Sequence, residues 1–194
     1  MTPEATVAKL RSFIAIPLQP ELLERVAQLQ RQLLAACPEL KPAQLENLHL
    51  TLRFLGDRTQ DELAQIGRIM LSVAEKKNIF NVTLEGVGVF PHPRRPRILW
   101  LGLTPQDDLL ELHSQLSDTL AQAGIAPDPK PFRPHLTLGR FKARRPQAIS
   151  LRPFLSHCCG SMSIDRLILF RSRLTAQGAI HTPLETAQLA TPAE

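Results

Sequence analysis

The apolar run over residues 11–18 (RSFIAIPL) predicts a strand that stops at Pro17, because proline cannot donate to a β-ladder. Leu22, Leu23, Val26, Leu29, Leu33 and Leu34 then recur at helical spacing. They predict a helix over 20–36, with Pro20 in the first turn, where a missing N–H costs nothing. Pro38 and Pro42 break the chain. Residues 48–55 (LHLTLRFL) alternate strictly and end at the turn signal Gly56-Asp57. Strict alternation puts His49, Thr51 and Arg53 on one face and Leu48, Leu50, Leu52 and Phe54 on the other. Thr59 followed by Glu62 is a capping box, opening a helix over roughly 60–75.

Strands are expected over 79–90 and 97–104, joined by the loop Pro91–Pro96. Thr104 is expected to cap the next helix, with Pro105 at its first position and Asp107 in its first turn. That helix carries Leu109, Leu110, Leu112, Leu116 and Leu120 and stops at Gly124. A strand at 135–141 (HLTLGRF) and one long strand at 162–174 follow, with a short partner at 178–184. Helices interspersed with short alternating strands and hairpin-like pairs predict an α+β fold, mainly antiparallel, with helices on the outer faces. The 194 residues suit one domain or two small lobes sharing a core. Residues 10–185 form the expected domain, with loose polar ends at 1–9 and 186–194.

Composition narrows the classes. With 43% hydrophobic and 21% charged residues, the chain is an ordinary globular one. It has no apolar run near the ~18 residues of a membrane span, and Met1–Lys9 lacks the apolar core of a signal peptide. Cys37, Cys158 and Cys159 form no C-x-x-C pair and leave an odd count, so neither a disulfide framework nor a zinc finger is supported. These features predict a cytoplasmic protein with no membrane partner. The absence of tyrosine excludes a tyrosine nucleophile or acid. The net charge is +5, unevenly spread: residues 130–175 sum to +9 and the rest to −4. That asymmetry suggests an anionic partner, against the alternative of a solvated arginine-rich surface.

The most informative feature is a repeat. His49-Leu50-Thr51-Leu52 recurs as His135-Leu136-Thr137-Leu138, 86 residues later, in a chain with only six histidines. The spacing, near half the chain, suggests two pseudo-equivalent lobes. In each copy the leucines account for a core face, leaving His and Thr on the other. If the two strands converge, two imidazoles and two hydroxyls meet. A neutral imidazole can take a proton from a nucleophile while a protonated one gives a proton to the leaving oxygen. A threonine hydroxyl on the same face can donate to a phosphate oxygen. Two histidines with no patterned Asp, Glu or Cys nearby are too few for a zinc centre, so no metal is expected.

Paired H-x-T-x motifs resemble the two-histidine (2H) phosphoesterase superfamily. The strings at Arg11–Leu18, Glu46–Asp57, Arg97–Leu103 and Pro131–Arg140 resemble its RNA 2′,3′-cyclic phosphodiesterase branch, also called the 2′-5′ RNA ligase family. The likeness runs from about Arg11 to Leu184. It implies a bilobal fold, two antiparallel sheets flanked by helices around a cleft. It implies hydrolysis of an RNA or nucleoside 2′,3′-cyclic phosphate to a 2′-phosphate, with ATP-independent 2′-5′ ligation as the reverse. By the resemblance His49 is the proton donor, His135 the proton acceptor, and Thr51, Thr137 and Arg140 hold phosphate oxygens. It implies no cofactor, no obligate protein partner and a monomer.

Phe13 carries two readings, core packing or a surface on which a base stacks. His92, His113, His157 and His181 have no partner pattern and read as surface or satisfied side chains. Arg133, Arg144 and Arg145 are candidate contacts to an RNA backbone, with solvated charge as the alternative. The competing function is a non-catalytic nucleotide- or RNA-binding module using the same cleft. Histidines present in both motifs argue against it, since a pure binder has no need of both.

Overall fold

The structure, a computed structural model, describes residues 8–142, 151–176 and 178–191. Nine strands alternate with three helices: β1 (Leu10–Pro17), α1 (Pro20–Ala36), β2 (Leu40–Pro42), β3 (His49–Arg58), α2 (Gln60–Ala74), β4 (Phe80–Phe90), β5 (Ile98–Thr104), α3 (Asp107–Gln122), β6 (His135–Phe141), β7 (Cys158–Ile164), β8 (Arg166–Thr175) and β9 (Gly178–Gln188). Short 3₁₀ turns lie at Leu45–Asn47 and Arg152–Phe154. The fold is α+β and its named strand pairings are antiparallel.

The strand order is β7-β4-β5-β6-β3-β1-β8-β9, with β2 also on β6. The two expected sheets are therefore joined, but only just. β3 and β6 share a single pair, Leu50 with Leu136. Beyond it, β6 turns its edge to β2, pairing Gly139 with Pro42 and Phe141 with Leu40. Each half of the sheet contributes one H-L-T-L strand to this junction.

Two of the helices open where their local signals place them. Thr59 Oγ1 accepts the Glu62 N–H (3.3 Å) and the Glu62 carboxylate accepts the Thr59 N–H (2.7 Å), a reciprocal capping box. Pro20 opens α1 as expected. α1 buries Leu22, Val26, Leu29 and Leu33; α2 buries Leu63, Ile66, Met70 and Val73; α3 buries Leu109, Leu112, Leu116 and Leu120. With the inward leucines of the strands these form one apolar core. No helix of the described residues is long and apolar enough to cross a membrane.

Four boundaries differ from the sequence reading. Thr104 ends β5, and Gln106, not Thr104, precedes α3. The long strand expected at 162–174 is two strands, with the break at Asp165. β2 has no counterpart in the sequence reading, because three residues carry too little periodicity to show it. The C-terminal boundary expected at 185 falls inside β9. Ala187 and Leu189 are buried, and Ala190 exchanges backbone hydrogen bonds with Lys77 and Ile79 (both 2.9 Å), so 186–190 belong to the fold. Residues 1–7, in the expected loose N-terminus, lie outside the described residues.

Candidate active site

The Leu50–Leu136 pair organises the site. Both leucines are buried, so the residues flanking them face the other way. Extending the antiparallel register by one residue sets His49 level with Thr137 and Thr51 level with His135. The repeat thus meets itself about a local two-fold, and two imidazoles and two hydroxyls share one polar face. All four side chains are partly exposed.

The rings are wired alike. His49 Nδ1–H donates to the Asn47 carbonyl and His135 Nδ1–H to the Arg133 carbonyl, each at 2.7 Å and each two residues back. A carbonyl can only accept, so the proton of each neutral ring sits on Nδ1 and Nε2 carries the free lone pair. Burial lowers the pKa of both. At His49 it does so most strongly, to about 4, with repulsion from His181 and His135 adding and the Asn47 carbonyl opposing. At His135 burial again leads, the Arg133 carbonyl opposes, and the Arg140 guanidinium adds repulsion.

A bulge in each motif strand sets what else reaches this face. On β3 the register steps past Leu52, and both Leu52 and Arg53 are buried. On β6 it steps past Leu138, and Leu138 and Gly139 are buried. Each bulge inverts the alternation, so the fifth residue after each histidine returns to the histidine face. In the second copy that residue is Arg140, exposed and paired with Ile98. In the first it is Phe54, 62% exposed.

This corrects two expectations. Arg53 does not share the His49 face. It is 2% exposed, donates to the Ala126 carbonyl, and lies 3.6 Å from the Asp128 carboxylate on the helical side. Phe54, expected in the core, stands open. In the second copy Gly139 takes the Arg53 position because β2 lies on it; a Cβ there would come within 2.7 Å of the Lys41 carbonyl.

Of the two readings of Phe13, the structure bears out core packing. The residue is 4% exposed, too covered to stack on a base. Its ring packs instead against His49 (4.8 Å between centroids), Phe170 (5.3 Å) and His181 (4.9 Å). An aromatic nest therefore surrounds the first histidine. The second rests perpendicular to Phe90 at 5.0 Å, with the Arg133 guanidinium 6.0 Å over that phenyl ring. Phe90 in turn touches Trp100, whose ring lies on Gly88, where a Cβ would sit 2.1 Å from it. His181, read as an isolated side chain, is 5.3 Å from the His49 ring. No local motif announces it, because β9 brings it in through tertiary pairing. Phe54 does carry a signal: it holds the same place after its histidine as Arg140.

His92, His113 and His157 stay outside the site. His113 stacks on Phe132 and His92 accepts the Arg94 N–H. Arg144 and Arg145 lie outside the described residues. Among the described residues no three His, Cys, Asp or Glu side chains gather as metal ligands. The hollows between α2 and α3 and between α2 and β9 lie on the helical side and are lined by no histidine.

This face can hold a small anion between two proton-transfer groups, with hydroxyls and a guanidinium for its oxygens and an aromatic face alongside. Comparison with known proteins points the same way. A model of the 2′-5′ RNA ligase superfamily matches residues 39–175. The RNA 2′,3′-cyclic phosphodiesterase of Methanothermobacter thermautotrophicus is 33% identical over 93% of this chain and 100% of its own length. Among solved structures, TT0787 of Thermus thermophilus superposes with a TM-score of 0.81 at 28% identity, covering 95% of this chain and all of that one. Escherichia coli LigT complexed with 3′-AMP gives 0.80 at 26% identity, covering 94% and 99%.

Proposed function

Because the chain belongs to the 2′-5′ RNA ligase superfamily, we propose that its cleft hydrolyses the 2′,3′-cyclic phosphate of a ribonucleotide or RNA end to a 2′-phosphate. The observation that carries this reading is the matched wiring of His49 and His135. Each ring spends Nδ1 on a carbonyl and keeps Nε2 for chemistry.

In the proposed reaction His135 Nε2 takes a proton from water as its oxygen bonds to phosphorus. The bond from phosphorus to O3′ breaks on the opposite side. His49, carrying the second proton on Nε2, gives it to O3′, and proton exchange with solvent resets both rings. In-line displacement needs acid and base on opposite sides of one phosphorus, a demand that two rings related by a local two-fold can meet. Thr51, Thr137 and Arg140 hold the non-bridging oxygens, the guanidinium with a fork that fits two of them. Phe54 offers a face on which the nucleobase stacks.

His49 is neutral at pH 7 in the free protein, so its acid role depends on the substrate. A phosphate anion between the rings supplies the opposite charge that raises both pKa values and lets one proton reside on the pair. Three free thiols, Cys37, Cys158 and Cys159, suit the reducing cytoplasm in which we place the reaction. With a 5′-hydroxyl in place of water, the same geometry forms a 2′-5′ linkage.

The test is a product-resolved assay on 2′,3′-cyclic AMP and on an oligonucleotide with a cyclic-phosphate end, in excess EDTA. The expected product is the 2′-phosphate alone. His49→Ala and His135→Ala are each expected to lose at least about a hundredfold in kcat. A 3′-phosphate product, or near-normal turnover by either variant, would overturn the mechanism.

A further inference from the structure

His181 is the one histidine outside the repeat that touches the site. It stands on β9 opposite Ser172, on the face that carries Phe170. Its ring is perpendicular to two others, 5.3 Å and 89° from His49 and 4.9 Å and 81° from Phe13. Its Nδ1 is buried without a hydrogen-bond partner among the described residues. Asn47 ties the two histidine strands together. Its carbonyl accepts His49 Nδ1–H, and its side-chain amide donates to the carbonyl of Ala179, two residues before His181 (2.8 Å).

These contacts have a directional consequence. The Asn47 carbonyl anchors one atom of the His49 imidazole and leaves the ring free to swing about that anchor. Phe13 covers one side of it, and His181 abuts it at a right angle. We propose that His181 is a positioning residue for His49, holding its imidazole in one plane so that Nε2 stays aimed at the scissile phosphate.

The proposal rests on the two-histidine reading of the reaction. It assigns His181 no proton to transfer. Protonating His181 would place an N–H at Nδ1 with nothing to accept it, beside a ring that must itself take up a proton, so the neutral form fits this position. The titratable groups facing His49 are His181 from β9 and His135 from β6, and the groups facing it from β1 and β8 are the uncharged Phe13 and Phe170. Perpendicular rings at this separation attract. The contact therefore holds with both imidazoles neutral, and a phenyl ring can replace His181 in it.

The test compares wild type with His181→Ala, His181→Leu and His181→Phe. It reads kcat and KM on 2′,3′-cyclic AMP and follows the His49 ring through its pH titration by NMR. His181→Ala is expected to lose roughly tenfold or more in kcat, as loss of orientation does, with KM changed less than about threefold. His181→Leu fills the space without a flat ring, keeps the test alive if the alanine variant fails to fold, and is expected to lose kcat similarly. His181→Phe is expected to recover most of the rate. Burial is the main cause of the low His49 pKa. His49 should therefore titrate higher in His181→Ala, where water enters, and stay low in His181→Phe. Wild-type kcat in both folded His181→Ala and His181→Leu overturns the proposal, as does a folded His181→Phe as slow as the alanine variant. If wild type itself turns over no cyclic phosphate, the reaction reading fails. The His49 titration still decides the positioning claim, which an unmoved pKa in His181→Ala overturns.

Discussion

Identical wiring does not make the two imidazoles chemically identical. His49 sits in a nest of rings that depresses its pKa to about 4; His135 is depressed by burial and by the guanidinium of Arg140. The proposed acid–base turnover needs the pair to hold one proton. Both groups titrate below the ordinary histidine value, so the singly protonated pair is populated at acidic pH in the free protein. The kcat/KM profile, which reports the free enzyme, should therefore peak below about pH 6.5 and fall as pH rises. The kcat profile should peak at higher pH, because the bound anion favours the protonated ring. A kcat/KM optimum above about pH 7.5 would contradict the burial argument. In the proposed reaction the two residues placed by the bulges divide the labour differently. Arg140→Ala is expected to cost on the order of 10²–10³ in kcat, with Arg140→Lys recovering only part, since an ammonium cannot fork. Phe54→Ala should act mainly on KM, raising it about tenfold, the rough worth of one stacked base.

At the scale of the strand, period-2 counting holds up to Leu52 and inverts after it. The histidines, both threonines and the core leucines are legible because they precede the bulge. Arg53 and Phe54 are not, because a bulge is set by the partner strand and leaves no mark in local alternation. Comparing the two copies exposes it: Arg140 can share the His135 face only if the alternation slips once. The same cause decides what the sequence leaves open or misses. Phe13 looks available from its own strand and is covered by rings from β3, β8 and β9. His181 looks isolated and is brought to His49 by pairing of β8 with β9. The capping box of Thr59 with Glu62, by contrast, is local chemistry and behaves as read, whereas Thr104 is taken up by β5 instead of capping α3. The inverted position makes a clean prediction. Arg53→Ala empties a core position and leaves the Ala126 carbonyl without its donor, so it should cost about 1–3 kcal/mol in stability while leaving KM near wild type. Urea unfolding with parallel kinetics checks this; an unchanged midpoint with an altered KM would return Arg53 to the cleft.

Across the whole molecule, the described arginines of the +9 segment are spread over both halves of the sheet. Arg133 and Arg140 flank the second motif on β6, whereas Arg166, Arg171 and Arg173 ride on β8 in the other half of the sheet. What unites the halves electrostatically is burial of neutral imidazoles. His49, His113, His135 and His181 all have pKa values lowered chiefly by desolvation. The unfolded chain binds protons near pH 6.5 and the folded chain only lower down, so the unfolded state holds more protons between those values and stability rises with pH there. Stability should therefore fall as pH drops from about 6.5 toward 4. His49 alone accounts for about 3 kcal/mol of that loss, from an ordinary value near 6.5 to about 4. A urea midpoint that is equal at pH 7 and pH 5 would show that these rings are not held neutral. Replacing His49 with glutamine should flatten the slope. Ligand linkage gives the sharper form of the same test. An anion between the rings raises the pKa of the pair, so protonation and anion binding must favour each other. The midpoint increment produced by a fixed excess of 2′-AMP should grow as pH falls from 7 to 5.5 in wild type and grow less in His49→Gln, where only His135 remains to take up a proton. Phosphate protonation makes the ligand less anionic over that range and acts in the opposite direction, so growth of the increment would come from the histidines.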